Sequence, residues 1–164
     1  MSKKNKSTLL AAVDFSSFSK EAVLFAGKLA DDLNAGIIVL HVIHDPAEAP
    51  GFYAQKKKKK KYLQNIEDSA ADMMEEFILD IQKENPEIKS LAEAETLLVI
   101  GTPVKRIIEV AKKKDARMII LGSHGRTGFT HFLVGSKVNK VVQLSTIPVT
   151  VVKTIPKNEL PDNG

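Results

Sequence analysis

A chain of 164 residues is the length of one domain with room for a full core, and 43% hydrophobic with 27% charged residues is an ordinary globular balance. The absence of cysteine excludes disulfides, thiol catalysis and thiolate-bound metal. No apolar run approaches the roughly 18 to 20 residues of a membrane span. Residues 1–6 do not read as a secretory signal, so a cytoplasmic location is expected. The net charge of +4 sits in one place, because without the six consecutive lysines Lys56 to Lys61 it becomes −2.

Residues 1–7 are polar and lysine-rich and predict a loose tail. Thr8 to Val13 is continuously apolar, as suits a strand buried on both faces, and it stops at Asp14. Ser16, Ser17 and Ser19 offer N-caps to a helix whose buried stripe is Ala22, Phe25, Ala26, Leu29, Ala30 and Leu33, closed by Asn34-Ala35-Gly36. Gly36 to Ile43 is a second apolar strand. Pro46, Pro50, Gly51 and the lysine run predict a long variable loop over 46–62. A helix with apolar positions from Leu63 to Ile81 then runs to Asn85-Pro86.

Ala94 to Ile100 predicts the third strand, and Thr102-Pro103 starts a helix that buries Val104, Ile107, Ile108 and Ala111. Arg117 to Leu121 is the fourth strand and leads into a glycine-rich stretch. A helix after Gly135 places Val138, Val141 and Val142 on one side. Pro148 to Val152 is the last strand, and 154–164 form a polar tail. Strict alternation of apolar strands with helices predicts an α/β fold with an open parallel sheet covered on both faces. In such sheets ligands bind beyond the carboxyl ends of the strands, where the strand order reverses. Asp14, the Val42 region, Gly101 and Gly122 all fall at such ends.

Four of the nine glycines lie between Gly122 and Ser136. Glycines let a phosphate approach the backbone closely, and the N-terminus of the following helix offers free N–H groups and a positive dipole end. Spacing alone leaves a plain glycine-rich turn equally open. Asp14 has three readings: a magnesium ligand, a ribose partner, or a cap for the following helix. The histidines His41, His44, His124 and His131 contain no i, i+4 pair, which argues against a metal site built from them. No aromatic residues interleave the lysine run, which argues against a dedicated nucleic-acid surface.

Gly122, Gly125, Gly135 and Ser136 fit G-x-x-G-(nine residues)-G-S, which resembles the nucleotide-binding signature of the universal stress protein family. Val13-Asp14-Phe15-Ser16, Leu40-His41-Val42, Gly101-Thr102-Pro103, Ile120 to Arg126 and Ile147 to Val152 resemble other family motifs in register, so the likeness spans 8–153. The resemblance implies a Rossmann-like sheet of order 3-2-1-4-5, of the adenine nucleotide alpha hydrolase type. It also implies the branch that binds ATP with Mg2+, since a second branch lacks the glycines. By the same resemblance Val13 and Asp14 lie near the nucleoside, Val42 and Leu121 line the adenine pocket, and Gly122, Gly125, Gly135 and Ser136 hold ribose and phosphates. Arg126 and Lys137 are candidates to reach phosphate. Lys137 and Asn139 depart from the family pattern, which usually has a small or aliphatic residue at the first and often an acidic one at the second.

The resulting expectation is a regulatory ATP-binding protein of stress adaptation, with no evident catalytic residues. A slow ATPase or a dimeric scaffold are the alternatives. The apolar final strand should lie at a sheet edge, and with the family resemblance it predicts a homodimer through that edge.

Overall fold

The structure, a computed structural model, describes residues 7–45, 56–124 and 134–154. Ten elements follow in order: β1 (Thr8–Val13), α1 (Ser17–Leu33), β2 (Gly36–Ile43), α2 (Lys56–Glu84), α3 (Lys89–Ala92), β3 (Glu95–Ile100), α4 (Pro103–Lys113), β4 (Ala116–Gly122), α5 (Ser136–Leu144) and β5 (Val149–Val152). The strands form one parallel sheet of order β3-β2-β1-β4-β5, as expected. Successive residues of a strand point to opposite faces, so each central strand feeds two cores. Leu9, Ala11, Val39 and Ile120 pack against α1, α2 and α3 through Ala22, Ala26, Met74, Ile78 and Leu91. Leu10, Ile38, Leu40 and Ile119 pack against α4 and α5 through Ile107, Val110 and Val141. The unbroken apolar runs Leu9 to Val13 in β1 and Ile37 to Leu40 in β2 are therefore what a sheet covered on both faces requires.

The ends of α1 follow their local chemistry. Ser16 is the N-cap and accepts from the Ser19 amide at 3.2 Å, while Asn34 takes the left-handed conformation at the C-cap with φ 48°. Gly27 lets α3 lie close, since a β-carbon there would stand 2.8 Å from Ile88 Cγ2. Asp31 then binds the start of α3, accepting from the Lys89 amide at 2.9 Å and the Ser90 amide at 2.8 Å.

Desolvation acts to raise the Asp31 pKa. Hydrogen bonds from the Ser90 and Lys89 amides and the Ser90 hydroxyl, with the Lys89 charge, outweigh it and hold the carboxyl below its ordinary value. A depressed folded-state pKa means that this link is fully present above the unfolded value of 3.8 and is lost as pH falls through the lower folded value. Amide exchange at Ser90 and Leu91 is expected to rise over that interval in the native protein. In Asp31→Asn it should be raised at all pH values and lose the acid step.

Two boundaries differ from the sequence reading. The loop expected over 46–62 ends sooner, because α2 begins at Lys56 and the whole lysine run is helical. Lysine is a good helix former, so the run joins the helix that continues from Tyr62 to Glu84. Residues 46–55 lie outside the described residues. Ser7, placed in the loose tail, is held by the fold: its carbonyl accepts from the Gly36 amide at 2.8 Å and its hydroxyl from Arg117 at 3.2 Å. The four-residue α3 was not anticipated, being too short to show a period.

Candidate nucleotide site at the strand-order reversal

The strand order reverses between β1 and β4, and the chain around that point is built from hydrogen bonds local to β1 and α1. Asp14 follows β1 directly. Its Oδ1 accepts from the Ser16 hydroxyl at 2.6 Å, the Ser19 hydroxyl at 2.6 Å and the Ser16 amide at 3.1 Å, and its own amide donates to Ser19 Oγ at 2.9 Å. Of the three readings of Asp14, the helix-start role is thus present in the geometry. Ser19 is 4% exposed while Asp14 and Ser16 are half-buried, so the knot is anchored at the edge of the core. Between Asp14 and Ser16 stands Phe15 at φ 64°, a left-handed conformation uncommon for a bulky residue. Its ring lies 4.3 Å from that of His41 and meets Phe77 edge-on at 5.6 Å. His41 Nδ1 in turn donates to the Val13 carbonyl at 2.8 Å.

On the other side of the reversal, Gly122 ends β4 against the first turn of α1. A β-carbon at Gly122 would lie 2.6 Å from the Phe18 carbonyl oxygen and 2.7 Å from its carbon, both backbone atoms. His124 packs its ring on Phe18 at 5.2 Å and meets the Ser123 hydroxyl through Nδ1 at 3.0 Å. Ser123, 3% exposed, joins three segments: its amide donates to Val152 at 2.9 Å and its carbonyl accepts from Gly135 at 2.9 Å. The second bond draws the two ends of the glycine-rich stretch together. Gly135 is the N-cap of α5 at φ −55°, and no side chain caps that helix. Positive φ therefore explains neither Gly122 nor Gly135, whereas Gly101 at φ 142° does need a glycine and carries the Arg106 side chain over it.

The expected residues divide as follows. Asp14, Gly122, Gly135 and Ser136 come together around Phe18 and Ser123, with Ser136 and Lys137 exposed in the first turn of α5. Gly125 and Arg126 lie outside the described residues. Val13 and Leu121 are buried at 6% and 5% exposure on opposite faces of the sheet, Leu121 against α4 and α5. Val42 is half-buried on the Leu121 face, one residue beyond the level of Val13 on the neighbouring strand.

Sequence reasoning gave no place in the site to Phe15, Phe18, Ser19, His41 or Ser123. The serines and aromatics near Asp14 could have signalled a polar knot, but nothing in the order of residues shows that Phe18 meets Gly122. Among the described residues no group of three or more His, Asp or Glu could hold a metal ion, and no helix is long and apolar enough to cross a membrane.

The model of the universal stress protein family matches residues 7–153. The chain belongs to this family. Universal stress protein YxiE of Bacillus subtilis is 31% identical over 147 residues, covering 88% of this chain and 97% of that protein. Among solved structures, UspA from Lactobacillus plantarum superposes with a TM-score of 0.71 at 22% identity, covering 90% of this chain and 98% of that one. A universal stress protein from Archaeoglobus fulgidus in complex with dAMP gives 0.57 at 22% identity, with 90% and 98% covered.

Proposed function

We propose that this universal stress protein binds an adenine nucleotide, ATP with Mg2+, in the crevice between β1 and β4. Occupancy of that site, rather than turnover, would carry its regulatory role in the cytoplasm. The observation that carries the reading is the bond from the Gly135 amide to the Ser123 carbonyl. It sets the uncapped N-terminus of α5 beside Gly122, where free amides and the dipole favour phosphate. Among the described residues, three buried side-chain polar atoms have no hydrogen-bond partner, Arg106 Nε in α4 after β3, His124 Nε2 after β4 and Thr154 Oγ1 after β5. Such atoms are costly unless something completes them, and a polar ligand at this edge would.

Universal stress proteins solved with cAMP and with dAMP supply the adenine part of the reading. Asp14 would hold the turn facing the nucleotide, with Mg2+ arriving on the triphosphate. Gly122, Gly125, Gly135 and Ser136 would hold ribose and phosphates, with Arg126 and Lys137 at the phosphate end. Val42 and Leu121 would border the adenine, with Val13 near the nucleoside. Magnesium, when bound, would neutralise phosphate charge.

Calorimetry with ATP and magnesium tests this, and no binding at millimolar nucleotide would end it. Ser136→Ala removes a hydroxyl from the first turn of α5 and is expected to weaken ATP about tenfold, the worth of a hydrogen bond to a charged group. An unchanged affinity would take Ser136 out of the site. Turnover should stay below roughly one per minute, far under ordinary enzyme rates.

The same reading includes a homodimer through β5. Val149, Val151 and Val152 are half-buried on the last strand of the sheet, and α5 beside it exposes Val142 by 46% and Leu144 by 62%. Light scattering at micromolar concentration is expected to give twice the chain mass of 18.0 kDa.

A further inference from the structure

Helix α2 is charged against its own dipole. Its first six positions are lysines, and residues 67–84 hold seven carboxylates against Lys83 alone. A helix favours the reverse, with anions at its positive N-terminus and cations at its C-terminus. Asp68, Asp72, Glu76 and Asp80 also follow one another at four-residue intervals, the spacing at which like charges repel. None of these four, nor the exposed Lys60 and Lys61, takes part in the ion pairs found among the described residues.

The 29 residues of α2 extend about 43 Å at 1.5 Å each, yet the first buried position among those described is Ala70. Leu63 and Ile66 before it are half-buried, and the helix begins with the lysine tip. On the outer face of the rest lies a shallow concavity of about 340 Å³ lined by Asp72, Glu75, Glu76, Leu79, Asp80 and Lys83. Tyr62, Met73 and Leu79 are 49%, 38% and 43% exposed.

We propose that this face is an interface with a second copy of the chain, in which two α2 helices lie antiparallel about a twofold axis near residue 67. In that register Asn65 faces Ser69 of the other copy, Lys61 and Tyr62 come level with its Met73 and Asp72, and position 58 of the lysine run comes level with its Glu76. The contact is isologous, and on chains already paired through β5 it would join one dimer to another. It sets each lysine tip beside the Asp72 and Glu76 stretch of the other copy and opposes each helix dipole with its antiparallel partner. A nucleic acid or an acidic membrane would answer the lysine tip alone and leave the carboxylate row uncompensated. This is why charge complementarity selects the second copy. The interface is separate from the β5 edge and does not depend on nucleotide.

Sedimentation of the full chain at low and high salt tests the proposal, with a charge exchange to isolate the interface. The native chain should show an association step at about 100 µM that is lost at high ionic strength. Replacing Lys56 to Lys61 by glutamate, or making Asp72→Lys with Glu76→Lys, should each weaken that step about tenfold. Combining the two sets should restore it to within about threefold. Because the chain has no cysteine, an equimolar mixture of Asn65→Cys and Ser69→Cys proteins reports the register directly: a disulfide between unlike copies should predominate. Failure of the combined variant to recover association would overturn the proposal. So would salt-sensitive binding of the native lysine tip to duplex DNA or phosphatidylserine vesicles with no self-association.

Discussion

Gly122→Ala is expected to destabilise the fold by about 2–3 kcal/mol, lowering Tm by roughly 5–10 °C for a domain of this size. The new methyl would stand 2.6 Å from the Phe18 carbonyl oxygen, and neither side can give way cheaply. Gly122 is paired with Val152 in the sheet, while Phe18 lies in the first turn of α1, whose cap is tied to Asp14. Relief must come from lifting the start of α1 off β4. That movement would disturb the Asp14 knot and the His124 ring together. Gly36→Ala is the matched control, because a β-carbon there meets nothing within 4 Å, and its effect should lie within about 0.5 kcal/mol of neutral. Thermal melts of the two variants decide the matter. Equal melting temperatures would show that α1 and β4 are not in close backbone contact.

The second large effect concerns Asp14. Asp14→Ala removes an oxygen that takes three donors, and it leaves the Ser19 hydroxyl, in a residue only 4% exposed, without its acceptor. A cost of about 2–3 kcal/mol is expected, since an unmet buried donor costs more than the bond contributed. Asp14→Asn keeps an acceptor oxygen and should recover more than half of that loss. The pair of variants separates the structural role from the proposed ligand role. Nucleotide at a hundred times its dissociation constant stabilises the native chain by about 2.7 kcal/mol, which a melt reads as a rise of several degrees. If Asp14 also faces the ribose or the magnesium, Asp14→Asn should fold well yet lose most of that rise. A full rise in Asp14→Asn would confine the residue to capping.

Much of this was legible along the chain. The apolar runs at Thr8 to Val13 and Gly36 to Ile43 announce buried parallel strands, and Asn34 announces the end of α1, because burial on two faces and a left-handed cap are local demands. The lysine run was misread as loop because a charge block and the neighbouring prolines look alike in composition, although lysine itself does not oppose a helix. Gly122 was legible as a place of close approach, but what approaches it in the folded chain is Phe18. Two residues so distant along the chain become neighbours only when β4 is laid beside β1.

By itself, then, the sequence determined the alternation of elements, the parallel sheet and the edge on which a site could form, since periodicity, capping and turn chemistry act over a few residues. Which residues meet at that edge was decided by tertiary structure alone. The Gly135 to Ser123 bond, the Phe18 packing on Gly122 and the three unpartnered polar atoms all depend on how helices and strands far apart in sequence settle against one another. Packing is non-local, and no spacing along a single chain encodes it.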